Sequence, residues 1–339
     1  MSTRNPLVSF VLICYKQEKY IREAVEGAFS QTYSPLEIIL TDDCSTDRTF
    51  DIMREMAAAY TGPHRIVVNR NERNLGVGEH VNRAFGLVTG KWIVTAASDD
   101  ISDPDRCQRV MDLAAAHPNG GAIGLGWRDI DDCGTPLETE MLIRYREQRI
   151  VSGKDPQWIE QFRNGDFAPW GMSVAWLAKM IRATPPLGPE VIQEDEYYSF
   201  WCSLLGYDTI YDSHPAVSYR RHSANASGTL ATTDFDIQEK RLVKRARMRL
   251  ATWKYLLKTL ETHRQAYQGN WDDHHIARLK ETLRKKASTC EHQMNWWNVG
   301  TCSRLVKCLF PPEGRRWIHI PREWKRILPY RICKFLRSK

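Results

Sequence analysis

Residues 8–49 read VSFVLICYKQEKYIREAVEGAFSQTYSPLEIILTDDCSTDRT, and the fold class can be predicted from this stretch. The near-continuous apolar run over residues 7–13 predicts a strand that is buried on both faces. Residues 21–29 place apolar side chains at helical spacing, and residues 36–40 form a second apolar run of strand length. A strand, a helix and a second strand in this order predict a parallel strand pair joined by a crossover helix.

The same alternation continues through the first part of the chain. Ser45, Thr46 or Asp47 can cap a second helix, with Ser45 or Thr46 favoured. Further strands are predicted over residues 65–69, 91–96 and 121–126, and further helices over residues 78–88 and 104–117. We therefore predict an α/β fold, a mostly parallel sheet flanked by helices, whose ligands bind at the carboxyl ends of the strands.

The pattern changes near residue 234. Apolar residues at helical spacing mark one helix over residues 242–260 and a second over residues 276–294, with Gly269-Asn270 between them, which predicts a helical hairpin. We place a domain boundary here, so that residues 1–234 form the α/β domain and residues 235–339 form a helical, basic C-terminal extension.

Charge divides the chain at the same place. Residues 235–339 hold 25 Lys and Arg against 9 Asp and Glu, whereas residues 1–234 hold 23 basic and 32 acidic residues. The acidic part suits a metal and a catalytic carboxylate, and the basic part suits a phosphate-rich surface. Nine scattered cysteines without CxxC pairs predict free thiols in a reducing compartment, and no apolar run is long enough to cross a bilayer. We expect a cytoplasmic protein.

Four polar groups could carry chemistry. They are Asp42-Asp43 after the second strand, Asp99-Asp100 after the strand over residues 91–96, Glu194-Asp195-Glu196 before an aromatic run, and Arg220-Arg221-His222 before a small-residue loop. Adjacent carboxylates repel, so Asp99-Asp100 suggests a hard cation such as Mg²⁺ or Mn²⁺, although a solvated acidic turn has the same sequence. Asp42-Asp43 could bind a base or a ribose, or could belong to a helix cap.

The other two groups also have two interpretations each. A carboxylate at a helix N-terminus such as Asp195 can be a general base, or it can simply be stabilised by the helix dipole. Two arginines and a histidine suit a diphosphate, but an exposed basic loop would look alike.

The order of these segments resembles the family-two glycosyltransferases, which have the nucleotide-sugar-binding fold called GT-A. The resemblance rests on residues 8–49, on ERNLGVGEHVNRAF (72–85), SDD (98–100), EDE (194–196) and YRRHSANASG (219–228), and covers roughly residues 7–228. Two departures stand out. Ile13-Cys14 replaces the usual Pro-Thr, and Ala97 stands where the family often has Asp, which leaves the division of roles between Asp99 and Asp100 open.

The resemblance implies a role for each group. Tyr15, Glu18, Asp43 and Asp99 are expected to contact the nucleotide, and Asp99, Asp100 and His222 are expected to bind Mn²⁺ or Mg²⁺. Arg220, Arg221 and His222 are expected to contact the diphosphate. Asp195 is expected to be the catalytic base. The implied reaction is inverting transfer of a sugar from a nucleotide-diphosphate sugar to a hydroxyl of a glycan or lipid-linked glycan. Assembly of lipopolysaccharide, O-antigen or capsule is the expected context, with a deoxysugar such as rhamnose one possible donor.

Acceptor binding is expected between residues 129 and 193, where Trp170, Met172 and Trp176 could stack on sugar rings or pack in the core. The basic tail over residues 301–339, which includes Trp317 and Trp324, predicts peripheral attachment to the inner face of the cell membrane.

Two other functions compete with this prediction. A sugar nucleotidyltransferase of related fold would need a glycine-rich phosphate loop after the first strand, and residues 14–18 contain no glycine. The basic C-terminal end could instead bind phosphate groups of nucleic acid. We expect no nucleic-acid partner, because a membrane-bound acceptor explains the same charge.

Overall fold

The computed structural model describes residues 5–138, 147–165, 167–222, 225 and 235–298. The strands run in chain order as β1 Val8–Cys14, β2 Leu36–Asp42, β3 Arg65–Arg70, β4 Trp92–Ala97, β5 Ile101–Ser102, β6 Gly120–Ile130, β7 Arg149–Val151, β8 Val174–Leu177 and β9 Asp208–Arg220. The helices are α1 Ile21–Phe29, α2 Thr49–Ala59, α3 Val77–Gly86, α4 Arg106–Ala116, α5 Gln157–Asn164, α6 Ala178–Ala183, α7 Glu194–Leu204, α8 Phe235–Thr262, α9 Arg264–Tyr267 and α10 Asp273–Met294.

The strands form one mixed sheet in the order β3-β2-β1-β4-β8-β6-β9-β5, with β7 also paired to β9. Strands β3, β2, β1 and β4 are parallel, as are β6 and β9. Strand β8 runs antiparallel to both β4 and β6, so it begins beside the carboxyl end of β4. The α/β fold is therefore confirmed, and the sheet contains more antiparallel pairing than the sequence indicated.

The central strands are apolar because helices cover both faces of the sheet. All seven residues of β2 are buried, and the core around β1 includes Phe10, Leu12, Ile38 and Leu40. Burial of this apolar surface is the main stabilising contribution, at roughly 25 cal/mol for each Å² removed from water. The predicted elements up to residue 126 all form, each within a few residues of its predicted bounds.

One buried acid interrupts the apolar core. The Glu37 carboxylate in β2 accepts hydrogen bonds from the Ser9 hydroxyl, from Thr89 N at 2.7 Å, from the Thr89 hydroxyl at 2.7 Å and from Gly90 N at 3.2 Å. Burial raises the pKa of Glu37, but these hydrogen bonds outweigh it and hold the pKa below its ordinary value. The carboxylate thereby fixes the loop that enters β4.

The chain forms two compact units. The first comprises residues 1–222 together with 262–272, and the second comprises residues 223–261 together with 273–339. The short segment 262–272 packs within the first unit, where the Trp271 indole nitrogen donates to Leu204 O at 2.9 Å and the Trp271 ring meets Trp158 edge-on at 5.8 Å. The sequence did not indicate this insertion, and the predicted boundary at residue 234 stays a prediction.

The second unit contains the two predicted long helices, α8 and α10. Both bury the expected apolar stripe, including Trp253 and Leu260 on α8 and Leu279 and Leu283 on α10. Lys254 pairs with Glu291 on the facing helix at 2.8 Å. None of the described helices is both long enough and apolar enough to cross a membrane. The predicted tail over residues 301–339 lies outside the described residues.

Candidate functional site

The loops that follow β1 and β2 are joined to each other at the carboxyl edge of the sheet. Lys16 N donates to the Ser45 hydroxyl at 2.8 Å, and Gln17 N donates to the Thr49 hydroxyl at 2.7 Å. Lys16 and Cys44 both have positive φ, 53° and 60°, a conformation that non-glycine residues adopt at a cost. These bonds hold the β1–α1 loop in one conformation, with the Tyr15 side chain exposed.

The N-terminus of α2 differs from its prediction. Ser45 or Thr46 was favoured as the cap, but the Ser45 hydroxyl donates to Asp42 and accepts Lys16 N instead. The carboxylate that reaches Thr49 N, at 3.1 Å, is that of Asp47. Glu18 accepts Arg48 N at 3.0 Å from the other side, so this predicted nucleotide contact borders the same loop.

Asp42 and Asp43 are both buried, and the surrounding loops bond them closely. Asp42 accepts Ser45 N at 2.8 Å and lies 3.6 Å from the Arg70 guanidinium. Asp43 accepts the Asn71 amide at 2.8 Å, Leu75 N at 2.9 Å and Gly76 N at 3.0 Å. The predicted nucleotide carboxylate of Asp43 therefore fixes the loop that precedes α3.

Asp99 and Asp100 occupy the turn after β4, and their surroundings differ from those of the first pair. Asp100 is buried; its Oδ1 accepts Arg220 N at 2.8 Å, whereas its Oδ2 is buried without a partner. Burial, followed by the nearby Asp99 charge, holds the pKa of Asp100 well above its ordinary value. The more accessible Asp99 has its Oδ2 3.0 Å from His222 Nε2.

The segment after β9 encloses this turn. The buried Arg220 guanidinium donates to Asp99 O at 3.0 Å and to Glu23 at 2.8 Å, so it connects the turn to α1. His222 is buried against the Tyr20 ring, with the two ring centroids 4.9 Å apart. The Tyr20 hydroxyl bonds Asp132 in turn. The structure thus brings Asp99, Asp100, Arg220 and His222 together.

Asp195 lies in the first turn of α7, facing a short 3₁₀ turn, Gly171–Ser173. Its Oδ2 accepts Gly171 N at 3.2 Å, and its Oδ1 accepts Glu196 N at 2.8 Å. A Cβ on Gly171 would lie only 2.5 Å from Glu194 Oε1, so a side chain at this position would displace the Glu194 carboxylate. Burial, with a further contribution from the Asp195 charge, raises the pKa of Glu194 to about 8.

A buried arginine connects the turn that holds Asp195 to the strand that leads to Asp99. Arg106, at the start of α4, donates to Thr95 O at 2.6 Å and to Met172 O at 2.9 Å. Thr95 also donates its hydroxyl to Gly171 O at 2.8 Å. The sequence analysis missed Arg106, although its position on the apolar face of a predicted helix was a signal.

A cluster of aromatic side chains continues beside this turn. The rings of Trp170 and Trp127 stack with centroids 4.8 Å apart and an interplanar angle of 16°, and the Tyr219 ring meets Trp170 edge-on at 5.6 Å. The Arg221 guanidinium lies 4.6 Å from the Tyr219 ring and 6.0 Å from the Trp170 ring. Its Nη2 donates to Asp129 at 2.8 Å.

The three residues predicted for acceptor stacking have different environments. Trp176 is fully buried in β8, and Met172 is also buried, so both pack in the core. Trp170 is only partly buried. The sequence did not indicate that Trp127 and Tyr219 support Trp170, because they come from distant strands.

The donor atoms predicted to hold the cation can be compared with the ligands that Mg²⁺ prefers. No group of three or more His, Cys, Asp or Glu side chains suited to a metal lies in the part of the chain that the structure describes. The unpartnered Asp100 Oδ2 nevertheless belongs to the residue next to Asp99, whose Oδ2 lies 3.0 Å from His222 Nε2. Mg²⁺ typically binds through one or two carboxylates completed by substrate phosphates, so this donor set fits an ion that arrives with a diphosphate.

Comparisons with known proteins identify similar sequences and similar folds. Residues 9–168 match the model described as glycosyl transferase family 2. Over 111 residues, 33% of the chain, it is 35% identical to the succinoglycan biosynthesis protein ExoO of Rhizobium meliloti, and this match covers 30% of ExoO. The chain spans less than two thirds of the length of the first curated relatives it matches, from 46% to 62%.

Solved structures share the fold at low sequence identity. The crystal structure of S. aureus TarS matches with a TM-score of 0.57 and 14% identity, over 96% of this chain and 50% of that one. The mannosyltransferase PcManGT from Pyrobaculum calidifontis, solved in complex with GDP-Man and Mn²⁺, matches with a TM-score of 0.54 and 16% identity, over 99% of this chain and 87% of that one.

The fold is thus that of the GT-A nucleotide-sugar enzymes. Together with the match over residues 9–168, it supports a family-2 glycosyltransferase.

Proposed function

We propose that this protein is an inverting glycosyltransferase that moves a sugar from a nucleotide-diphosphate sugar to a hydroxyl of a glycan or lipid-linked glycan. One observation carries the proposal: a hydrogen bond at 3.2 Å attaches the Asp195 carboxylate to the turn that Thr95 and Arg106 bind to β4, the strand that ends before Asp99-Asp100. The proposed proton acceptor and the proposed site for the leaving group therefore lie on elements that hydrogen bonds join directly.

The nucleotide is proposed to bind over the joined loops after β1 and β2. Tyr15 offers an exposed ring there, and Glu18 and Asp43 border the same loops. Asp99 would contact the ribose or the ion. Asp99, Asp100 and His222 would hold Mn²⁺ or Mg²⁺, which would neutralise the leaving diphosphate. PcManGT, which shares the fold, was solved with Mn²⁺ and GDP-Man.

The two arginines are assigned to the diphosphate only through the family resemblance. The buried Arg220 guanidinium bonds Glu23 and the Asp99 carbonyl, so its contribution is to fix the turn that carries the two aspartates. Arg221 is partly exposed, and its role stays a prediction.

In the proposed reaction, Asp195 takes the proton of the acceptor hydroxyl. The hydroxyl oxygen forms a bond to the anomeric carbon as the bond to the diphosphate oxygen breaks. The electron pair leaves with the diphosphate, and the configuration inverts. A single displacement of this kind requires one base and no protein nucleophile.

The first experiment is a donor screen. Release of UDP, dTDP or GDP from sugar nucleotides is measured with MnCl₂, with MgCl₂ and with excess chelator. We expect release from at least one donor, and loss of that release in chelator. Full activity in chelator would contradict the metal site, and release of pyrophosphate from a nucleoside triphosphate would favour a nucleotidyltransferase.

A second experiment tests the base. Asp195→Asn keeps the shape of the side chain but cannot take the proton, so turnover should fall by about 10²–10⁴ while donor binding is retained. Glu194→Gln and Glu196→Gln are matched controls on the same helix. A larger loss of turnover in either control would reassign the base.

The cellular context is also part of the proposal. A role in lipopolysaccharide, O-antigen or capsule assembly at the inner face of the cell membrane is supported by the relative ExoO, a succinoglycan biosynthesis protein. Attachment would use the basic tail over residues 301–339, which holds 11 Lys and Arg against 2 Asp and Glu. Deletion from Pro311 onward should abolish sedimentation with anionic vesicles and retain donor hydrolysis. Unchanged sedimentation would contradict this attachment.

A further inference from the structure

A tyrosine directly before α1 packs against two side chains of the segment that encloses the Asp99 turn. Tyr20 is buried, and the centroid of its ring lies 4.9 Å from the centroid of the His222 imidazole. The Arg220 guanidinium carbon also lies 4.9 Å from the centroid of the Tyr20 ring. A guanidinium is attracted to the face of an aromatic ring, so the Tyr20 ring contacts the imidazole and is itself held by the buried cation.

The hydroxyl group of the same tyrosine is attached to a second element. It donates to Oδ1 of Asp132, whose Oδ2 accepts a hydrogen bond from Lys19 Nζ. Hydrogen bonds to an ionised group are roughly twice as strong as those between neutral groups. The Lys19 and Asp132 side chains are 59% and 46% exposed, so their ion pair contributes little by itself. The bond from the tyrosine hydroxyl is therefore the contact that orients the ring.

The carboxylate that accepts this hydroxyl lies in a turn with a fixed conformation. The turn follows β6, and the side chain of Asp131 accepts Cys133 N and Thr135 N, both at 2.8 Å. The Arg220 guanidinium donates to Asp132 O at 3.3 Å. Hydrogen bonds on both sides of Asp132 thus hold its backbone, and the position of its carboxylate is determined by the fold.

The imidazole that packs on the tyrosine ring faces a carboxylate at a defined separation. His222 Nε2 lies 3.0 Å from Asp99 Oδ2. Mg²⁺ binds oxygen ligands octahedrally at about 2.1 Å, so two neighbouring ligands of one ion are about 3.0 Å from each other. The nitrogen and the oxygen therefore have the separation that a single ion would require of them.

We propose that Tyr20 and Asp132 are positioning residues for the proposed cation site. The Asp132 carboxylate fixes the Tyr20 ring, and the ring holds the His222 imidazole. This keeps His222 Nε2 at the separation from Asp99 Oδ2 that one Mn²⁺ or Mg²⁺ ion requires. The inference rests on the proposed function, because only that function makes His222 and Asp99 ligands of an ion.

The test measures Mn²⁺ on the full-length protein in the presence of UDP, dTDP or GDP, whichever the donor screen identifies. The electron paramagnetic resonance signal of free Mn²⁺ gives the Kd of the ion. Pulsed electron paramagnetic resonance of the bound ion detects hyperfine coupling to a directly coordinated imidazole nitrogen. The coupling reports the position of His222, which a general loss of structure at another place would not change.

Tyr20→Phe removes the hydroxyl and keeps the ring, and Asp132→Ala removes the acceptor of that hydroxyl. Each should raise the Mn²⁺ Kd by about three- to tenfold, as expected for one hydrogen bond, and should weaken the nitrogen coupling. The double variant should bind Mn²⁺ no more weakly than either single variant, because all three lose the same bond. Tyr20→Leu removes the ring and should raise the Kd by about tenfold or more, and His222→Gln should abolish the coupling.

Two variants serve as matched controls. Tyr33→Phe removes the hydroxyl of another buried tyrosine, which donates to Pro6 O at 2.6 Å. Lys19→Gln removes the other partner of Asp132 and retains the bond from the Tyr20 hydroxyl. Both controls should leave the Mn²⁺ Kd and the nitrogen coupling unchanged.

An unchanged Mn²⁺ Kd in Tyr20→Phe and Asp132→Ala would overturn the proposal, as would a nitrogen coupling that kept its full strength while the affinity fell. A wild-type spectrum without nitrogen coupling would overturn it as well, since His222 would then not be a ligand. Donor release that requires Mn²⁺ and Asp195 would still stand in each of these cases. If the wild-type protein bound no Mn²⁺ at all, the proposed metal site would be wrong together with this inference.

Discussion

Two aspartate pairs stand at the ends of the two strands that flank β1, and the sequence gives them the same appearance. Asp42-Asp43 ends β2, and Asp99-Asp100 follows β4. The first pair is bonded by backbone and amide donors of the loops around it, with three such bonds to Asp43 at 2.8 to 3.0 Å. The second pair includes a buried oxygen, Asp100 Oδ2, that has no partner.

The difference separates two uses of a buried carboxylate. Hydrogen bonds to the ionised form stabilise a charge inside a protein, so Asp43 strengthens the loops that enclose it. A buried carboxylate without such bonds costs stability unless a cation or a proton compensates it. Asp42-Asp43 therefore fixes the loops around it, and in the proposed function the ion and the diphosphate would complete Asp99-Asp100.

The largest expected effect comes from replacing Asp100. Asp100→Ala removes a proposed ligand at the leaving group, so turnover should fall by about 10²–10³ or more while the fold is retained. The same replacement at Asp43 should raise the donor KM more than it lowers turnover. Initial rates at varied donor and MnCl₂ concentrations measure both. Equal losses of turnover in the two variants would mean that the pairs share one role.

The free energy of unfolding should distinguish the two pairs in the opposite direction, because the larger loss is expected at Asp43. Asp43→Asn replaces an acceptor oxygen by an amide that clashes with N–H donors, and should lower the unfolding free energy by about 1–3 kcal/mol. Asp100→Asn replaces a carboxyl group whose ionised form burial disfavours, and should leave the unfolding free energy of the ligand-free protein unchanged or increased by about 1 kcal/mol. Urea unfolding followed by circular dichroism measures both values.

Ligand linkage supplies the control for this prediction. MnCl₂ together with the nucleoside diphosphate product should stabilise the wild-type protein and Asp43→Asn, because a ligand that binds only the folded state raises its stability. Asp100→Asn should lose this increment. If Asp100→Asn destabilised the ligand-free protein as strongly as Asp43→Asn, the distinction between the two pairs would be wrong.

The sequence predicted much of the first half of the fold because its elements are local. The apolar runs of β1 and β2 and the spacing of α1 need no knowledge of the rest of the chain. Strand β8 was missed, since its four residues are too short to show a period, and it acquires its role from its antiparallel neighbours β4 and β6. The packing of residues 262–272 in the first unit depends on the hydrogen bond from Trp271 to Leu204 O, two residues that are distant in sequence.

The candidate site was predicted in part for the same reason. Motif order indicated Asp99, Asp100, Asp195 and His222, and the structure brings Asp99, Asp100 and His222 together. Arg106 and Gly171, which connect these groups to Asp195, were missed because their roles come from bonds between separate elements. No local pattern distinguishes a glycine that approaches a carboxylate from one that ends a helix.

The smallest expected effects concern two further acids, the buried Glu37 and the partly buried Glu194, whose pKa values are shifted in opposite directions. Hydrogen bonds hold the pKa of Glu37 below its ordinary value, so the stability it provides is present at neutral pH and is lost as the pH falls through the folded-state pKa. Glu37→Gln should therefore lower the unfolding free energy by about 1–3 kcal/mol at pH 7, and by less in acid. A constant difference from pH 3 to pH 8 would contradict this account.

Glu194 should show the opposite dependence on pH. Its pKa is raised to about 8, chiefly by burial and then by the charge of Asp195, so the folded protein holds a proton that the unfolded chain has released. Stability is then unaffected below the unfolded pKa of about 4.3, and falls as the pH rises towards the folded pKa. Glu194→Gln removes the ionisation, so the two proteins should be equally stable near pH 4, and the variant should be the more stable protein at pH 9. Urea unfolding of both proteins across this range measures the difference in their unfolding free energies. If the advantage of the variant became smaller as the pH rose, the Glu194 carboxylate would instead be stabilised in its ionised form, as in the first aspartate pair.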